Sequence, residues 1–543
     1  MTQIEKIADE VLELLIEEDP LGEMIQGLPG VDSKLSDLDE AGQAILRTRA
    51  LDAARRARED KSDDWITRAV VIDQAQAIVA RIDAKLVETE VADLMVSPIA
   101  RLLGMLPMVA PQGAEAERSY FTRLEMIPDY LAKAADRHRT GIAHGRTPVA
   151  SRAAYALDHL ENYLANPATD PLRQVPVTNT AERDRLIDDF VRPAFAKYRT
   201  ALAEDVAPHG RPDDKPGLGW LPGGEATYAS LARVHTTTHR TPEEMHQTGL
   251  ALIEALAEEY ADIGGRVFGV KTVAEVHERL RTDPSLKWGS AEELLAGARA
   301  AMDRAEAAAP EWFGLLPSQA CLLEKTPAAS EQHETSAYYL PPALDGSRPG
   351  IYYANTYKAT ERDRTIAEAT AFHEAVPGHH FQVTIAQERS MPMLRRCSAI
   401  NAYAEGWGLY CERLGDEMGL YSDDVARLGM LAMDSVRAAR LVVDTGLHAF
   451  GWSRQKTVDY LRDNTVMSEV EIQSETDRYI GMPGQALSYM IGRLEIQRVR
   501  AKAEETMGSA FDIKGFHDVV LGAGPVPMDV LDEIVTEWSK AET

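Results

Sequence analysis

Residues Phe372 to Gln382 read F-H-E-A-V-P-G-H-H-F-Q, and Glu405 follows in A-Y-A-E-G-W-G. Three imidazoles and one carboxylate, His373, Glu374, His379 and His380, fall within eight residues of a chain with only 14 His. That density points to a metal site of the His-Glu-x-x-His type, in which two imidazoles hold zinc and the Glu between them works on a metal-activated water. The spacing is not the standard one. On a regular helix His373 and His379, six apart, face different sides, and His380 lies about 10 Å of rise beyond His373.

Pro377 and Gly378 resolve this. Proline removes a backbone donor and clashes with the carbonyl four residues earlier, here that of His373, so the helix must bulge or kink. A bulge that absorbs two residues brings His379 to the position of a second ligand. His380 is the fallback ligand or an outer donor. A third ligand is expected from a second helix, and Glu405 is its candidate, with Gly406 and Gly408 leaving room for close packing against the metal helix. Glu412, one further candidate seven residues on, reads more simply as a salt-bridged side chain.

Four strings together, H-E-A-V-P-G-H-H, E-G-W-G-L-Y, R-L-V-V-D-T-G-L-H and P-G-Q-A-L-S-Y-M-I-G, resemble the bacterial family catalogued as domain of unknown function 885. That family is similar in turn to gluzincin peptidases with largely helical folds, the group of thimet oligopeptidase and angiotensin-converting enzyme. The resemblance covers roughly residue 100 to the end. It implies a deep cleft that admits short peptides, and a late Tyr as donor to the tetrahedral oxyanion, for which Tyr489 is the first choice. His448 is the second, with Asp444 one helical turn earlier to orient it. Arg440 or Arg478 could hold a substrate carboxylate by a bidentate fork, and Tyr479 lies beside the latter.

The 543 residues are 45% apolar and 27% charged, the balance of an ordinary globular protein. A formal charge of -28 repels phosphate backbones and excludes nucleic acid as an expected partner. Cys321, Cys397 and Cys411 are too few and scattered for a disulfide framework, and read as buried thiols. With no basic leader, and no run of 18 apolar residues, the expectation is a cytoplasmic chain without a membrane partner, monomeric or homodimeric.

Along the chain, Ile4, Ile7, Val11, Leu14 and Leu15 predict an amphipathic helix over 3–18 that ends before Pro20. His144 and Arg146 sit in a glycine-flanked loop, where packing is the commoner use. The Pro- and Gly-rich stretch 207–225 reads as a long ordered loop or a boundary, giving parts 1–206 and 207–543 that are expected to pack as one unit. Thr241 with Glu244, Thr365 with Glu368, and Ser468 with Glu471 read as capping boxes, the second of them starting the metal helix. Residues 315–357 read as strands, with turn chemistry in D-G-S-R-P-G, and Tyr352 and Tyr353 are candidate substrate contacts that would serve equally as core and rim.

The expected fold is mainly α, with a small antiparallel sheet beside the metal helix. The expected function is a zinc-dependent metallopeptidase with one zinc per chain, ligands His373, His379 and Glu405, and Glu374 as general base, acting on short peptides as carboxypeptidase, dipeptidase or oligopeptidase. The alternatives are a zinc amidase or deacylase on a non-peptide amide, and a metal-free binding protein or pseudoenzyme.

Overall fold

The computed structural model describes residues 1–28, 33–92, 95–327, 331, 336–344, 346 and 348–542, and the architecture is mainly α with one small sheet. The chain forms two compact units. One comprises Met1–Leu231, Gly446–Thr457 and Ser474–Pro483; the other comprises Ala232–Thr445, Val458–Gln473 and Gly484–Thr543. The first break between the units follows Leu231, and the Pro- and Gly-rich stretch 207–225 is an ordered loop bound into the first unit. Arg211 donates to the carbonyls of Thr147, Lys215 and Pro216, and its own carbonyl accepts from Ala150 N–H at 2.7 Å. A Cβ at Gly217 would strike the Leu447 carbonyl.

In the first unit, α1 (Gln3–Glu18) starts at a reciprocal cap between Thr2 and Glu5, and all five of its periodic apolar residues are buried. It packs against α2 (Glu40–Glu59) and α3 (Trp65–Ala84). The loop after α4 (Gly113–Ala143) is structural: His144 bonds the Thr140 carbonyl at 2.8 Å, and Arg146 joins Arg137 on the fully buried Glu88. A buried carboxylate held by two guanidiniums is costly to break from either side.

In the second unit, α5 (Pro242–Phe268) begins at the expected Thr241–Glu244 capping box. Next come α6 (Ala291–Trp312) and strands β1 (Leu322–Lys325), β2 (Ala337–Leu340) and β3 (Ile351–Ala354). The sheet is mixed and not antiparallel: its order is β1-β3-β2, with β3 parallel to β1 and antiparallel to β2. The most buried strand, I-Y-Y-A, takes the centre, where both sides of its backbone find partners, and the more exposed β1 is left at an edge. Two residues of the expected turn, Asp345 and Ser347, lie outside the described residues. Side chains alternate across the pleat, so Tyr352 pairs with Tyr339 on one face while Tyr353 stacks on Tyr338 on the other, with centroids 5.0 Å apart.

The helices that follow are α7 (Ala367–Glu374), α8 (His379–Glu388), α9 (Asn401–Glu417), α10 (Asp424–His448) and α11 (Ser488–Met507). The Thr365–Glu368 capping box does not form. Ile366 stands at the N-cap, while Glu368 accepts from Arg304 at 2.7 Å and from Ser422 N–H at 2.9 Å. Tertiary partners outbid the local cap for that carboxylate.

Four buried histidines are held neutral. Burial drives His138, His277 and His448 down to about 4 and His517 to about 3. In the unfolded chain each titrates near 6.5. Because the folded pKa is the lower one, the unfolded state takes up the proton first, so stability is full above pH 6.5 and falls as pH drops towards 4. Each histidine should cost about 2 kcal/mol at pH 5. Glu23, which burial raises to about 7, moves the opposite way and offsets part of this. Denaturant midpoints taken with chelator at pH 7, 6 and 5 should therefore fall, with a shallower fall for His517→Gln; a flat profile contradicts the argument.

Candidate metal centre

Between α7 and α8 the helix does not bulge but breaks outright, with Ala375 to Gly378 outside both helices and the Val376–Pro377 peptide cis. The Pro377 carbonyl, left without a helical partner, accepts from the Trp407 indole N–H at 3.0 Å. A Cβ at Gly378 would collide with the backbone of Phe372 and His373, so only glycine lets α8 restart so close to the end of α7.

The restart decides which histidine faces the site. The His373 and His379 rings stand edge to face, centroids 4.7 Å apart, and their Nε2 atoms lie 3.5 and 3.6 Å from Glu405 Oε2. These three ligand atoms all fall within 4.8 Å of one another. Bonds of about 2.1 Å in a tetrahedron have edges of about 3.4 Å, so the measured separations suit one small cation. His380 points away: its Nε2–H donates to the Gln319 carbonyl at 2.8 Å and its Nδ1 accepts from the Tyr339 hydroxyl at 2.9 Å.

Glycines in α9 set the depth of the site. A Cβ at Gly408 would sit 2.7 Å from the His373 ring, and one at Gly406 would sit 2.5 Å from the backbone of Gly492 in α11. Glu412, two turns after Glu405 on the same face, accepts from His373 Nδ1 at 2.8 Å and is completely buried. That bond fixes the tautomer and leaves the Nε2 lone pair for a metal. Glu412, read from the sequence as a further ligand candidate or a salt-bridged side chain, instead supports the His373 ring from behind; the seven-residue spacing from Glu405 was the available signal.

The electrostatics favour a cation. Burial opposes a charged ring at His373, yet Glu405, Glu412 and Glu374 outweigh it and hold the imidazole up to about 10. Burial likewise works to raise Glu405, but both imidazoles bring it well below the usual carboxylate range. Glu374 is raised by burial against the pull of His373, His379 and Arg437. Tyr352 is buried, and burial together with the Glu374 charge pushes its hydroxyl up.

Tyr489, at the start of α11, lies under two guanidiniums: the Arg437 and Arg440 carbons are 5.8 and 4.7 Å from its ring centroid. The remaining candidates are engaged elsewhere. His448 is in the first unit, where its Nδ1 accepts from Leu218 N–H and its Nε2–H donates to the Tyr479 carbonyl at 2.9 Å. Asp444 does not orient it, and instead accepts from Gly484 N–H. Arg478 pairs with Glu475 at 3.1 Å, and the Tyr479 hydroxyl donates to the same carboxylate. A recess of about 1090 Å³ in the second unit, lined by Arg240, Glu495, Arg498, Lys502 and Asp532, contains none of the metal-site residues, so it is not the expected cleft.

A solved structure from Colwellia psychrerythraea, provisionally described as a lipoprotein, is similar with TM-score 0.90 and 25% identity, over 99% of both chains. Another from Shewanella oneidensis, provisionally described as a lipoprotein of unknown function, has TM-score 0.77 and 16% identity, over 99% of this chain and 100% of that one, and shows the shared fold. No curated protein matches. Among the described residues, no helix is long and apolar enough to cross a membrane. The family described as "Bacterial protein of unknown function (DUF885)" matches residues 20–535, and the chain belongs to that family.

Proposed function

We propose that the protein is a zinc metallopeptidase that hydrolyses short peptides, with one zinc held by His373, His379 and Glu405. The observation that carries the reading is the convergence of two Nε2 atoms and one carboxylate oxygen within 4.8 Å, with Glu374 covalently next to one of them. The gluzincin likeness of H-E-A-V-P-G-H-H belongs to the same proposal, as does a cytoplasmic location, which cell fractionation tests.

Zinc, when bound, supplies a Lewis acid that polarises the scissile carbonyl and lowers the pKa of water towards 7. The protein's own residues do the rest. Glu374 takes the proton of the attacking water and passes it to the leaving amine nitrogen; its raised pKa suits both halves of that transfer. Glu412 holds the His373 ring in place. Tyr489 is the proposed hydroxyl donor to the oxyanion.

Metal content by mass spectrometry, followed by a mixed peptide screen alongside non-peptide amides, tests the reading. About one zinc per chain should be found, lost in His373→Ala, His379→Ala and Glu405→Ala, and kept in His380→Ala, since both His380 ring nitrogens are taken by Tyr339 and Gln319. Zinc that survives His379→Ala, or a metallated protein that cleaves only non-peptide amides, overturns the site or the substrate class respectively.

A further inference from the structure

The contacts among α9, α10 and α11 place a guanidinium about one helical turn from the point where the Glu405 helix meets α11. Gly492 meets Gly406, the neighbour of Glu405, and Arg493 pairs with the buried Asp434. One turn back along α11 is Tyr489, and one turn on along α10 is Arg437, stacked on that tyrosine. Because Gly406 adjoins Glu405, Tyr489 and the Arg437 guanidinium over it lie about one helical turn from the level of that metal-site residue.

Arg437 is poorly satisfied for a guanidinium with five donors. Its hydrogen bonds run to Met433, to the carbonyl at 3.5 Å and to the sulfur at 3.1 Å. Its Nε is buried without a hydrogen-bond partner, and among the described residues it makes no ion pair. Nearby arginines in the same helices are spoken for: Arg493 and Arg413 share Asp434, and Arg427 forks onto Asp416. A half-buried guanidinium left with only weak acceptors matches a planar anion in charge and geometry, and matches little else.

Resting on the peptidase reading, we propose that Arg437 receives a carboxylate of the substrate, so that the enzyme selects peptides carrying a negative charge next to the scissile bond. Tyr489 supports the guanidinium by a cation–π contact, and Arg440, with its guanidinium carbon 4.7 Å from the same ring centroid, adds positive potential there. The carboxylate is either a free C-terminus or an Asp or Glu side chain. Arg440 and Arg478 were the arginines singled out from the sequence for this task; of these, Arg478 is paired with Glu475 in the first unit, and Arg440 is the more deeply buried neighbour of Arg437.

The test is calorimetric and needs no turnover. The zinc-loaded Glu374→Gln protein is titrated with acetyl-Ala-Phe, with its C-terminal amide, and with acetyl-Glu-Phe amide, and the titrations are repeated after adding Arg437→Ala or Arg437→Lys. One of the two charged peptides should bind at least about tenfold tighter than the neutral amide, and which one does so names the source of the carboxylate. Arg437→Ala should erase that ratio, and Arg437→Lys, which keeps the charge but not the fork, should keep part of it. In the wild type, Arg437→Ala should raise KM for the charged peptide far more than it lowers kcat. Equal affinity for charged and neutral probes, including no detectable binding of any, overturns the proposal, as does a preference that survives Arg437→Ala. Absence of peptide turnover in the wild type would overturn the peptidase reading alone, because the binding ratio is read independently of it.

Discussion

Glu374→Gln should retain about one zinc per chain and lose peptide turnover by roughly 10²- to 10⁴-fold, the range that a positioned general base supplies. The separation of the two readouts is what makes this variant informative. Glu374 contributes no atom to the triad of His373, His379 and Glu405, so metal binding should be little changed. The amide cannot take up a proton, so the attacking water stays neutral and the leaving amine is not protonated. Gln preserves shape and removes one buried negative charge whose neighbours are two imidazoles and Arg437. The variant should be no less stable than the parent, since burial already disfavours the charged form there. Zinc assayed by mass spectrometry and turnover of a peptide found in the screen decide it. Full activity in a zinc-replete Glu374→Gln protein would remove Glu374 from the chemistry, and loss of zinc would move it into the coordination sphere.

The route from sequence to site was short where the chain itself is local. His373, His379 and Glu405 were readable as candidates because Pro377 makes a continuous helix through that segment untenable; His379 was preferred on a bulge that absorbs two residues, and His380 stayed as the fallback. The form of the interruption was not readable. A bulge and a full break both satisfy Pro377, and the choice depends on the Trp407 indole that accepts the role of partner for the freed carbonyl 30 residues away. The glycines of E-G-W-G were legible as close-approach positions, and they meet a histidine ring and a helix backbone.

What the sequence did not disclose depends on long-range partners. Thr365 and Glu368 have the letters of a capping box, but Arg304 and Ser422 take the carboxylate. Asp444 and His448 have helical spacing, but each finds a backbone partner instead. Strand polarity in 315–357 was undecidable from alternation, because β1 joins β3 across an intervening strand. Arg437 had no local signature, since what marks it is the lack of an ion pair among the described residues, which only the packing of α10 and α11 reveals.

The second large effect concerns a residue with no side chain. Gly408→Ala should weaken zinc binding by about 10- to 100-fold, comparable to losing an outer-shell partner of a ligand. The added methyl would lie 2.7 Å from both Cε1 and Nε2 of His373 and 3.0 Å from Cδ2, so the ring must move. It has nowhere easy to go. His373 is 3% exposed, and the far nitrogen of its ring is tied to Glu412 at 2.8 Å. Sliding away from Gly408 stretches that bond, and rotating about it turns Nε2 off the line towards Glu405. Either response leaves His379 and Glu405 holding the metal with a misdirected third ligand. Helix propensity works in the opposite direction, because Ala is better than Gly inside a helix by about 1 kcal/mol, and it offsets part of the overpacking cost of about 1–3 kcal/mol that the displaced ring imposes on the metal-free protein. The stabilisation conferred by zinc is the sensitive quantity: ligand binding raises the unfolding free energy by RT ln(1 + [L]/Kd), and the wild type should gain far more than the variant at equal free zinc. Melting curves with buffered zinc and with chelator separate the two terms. A variant that melts like the parent in both conditions would mean that His373 is not held against Gly408, and the geometry of the whole triad would then need revision.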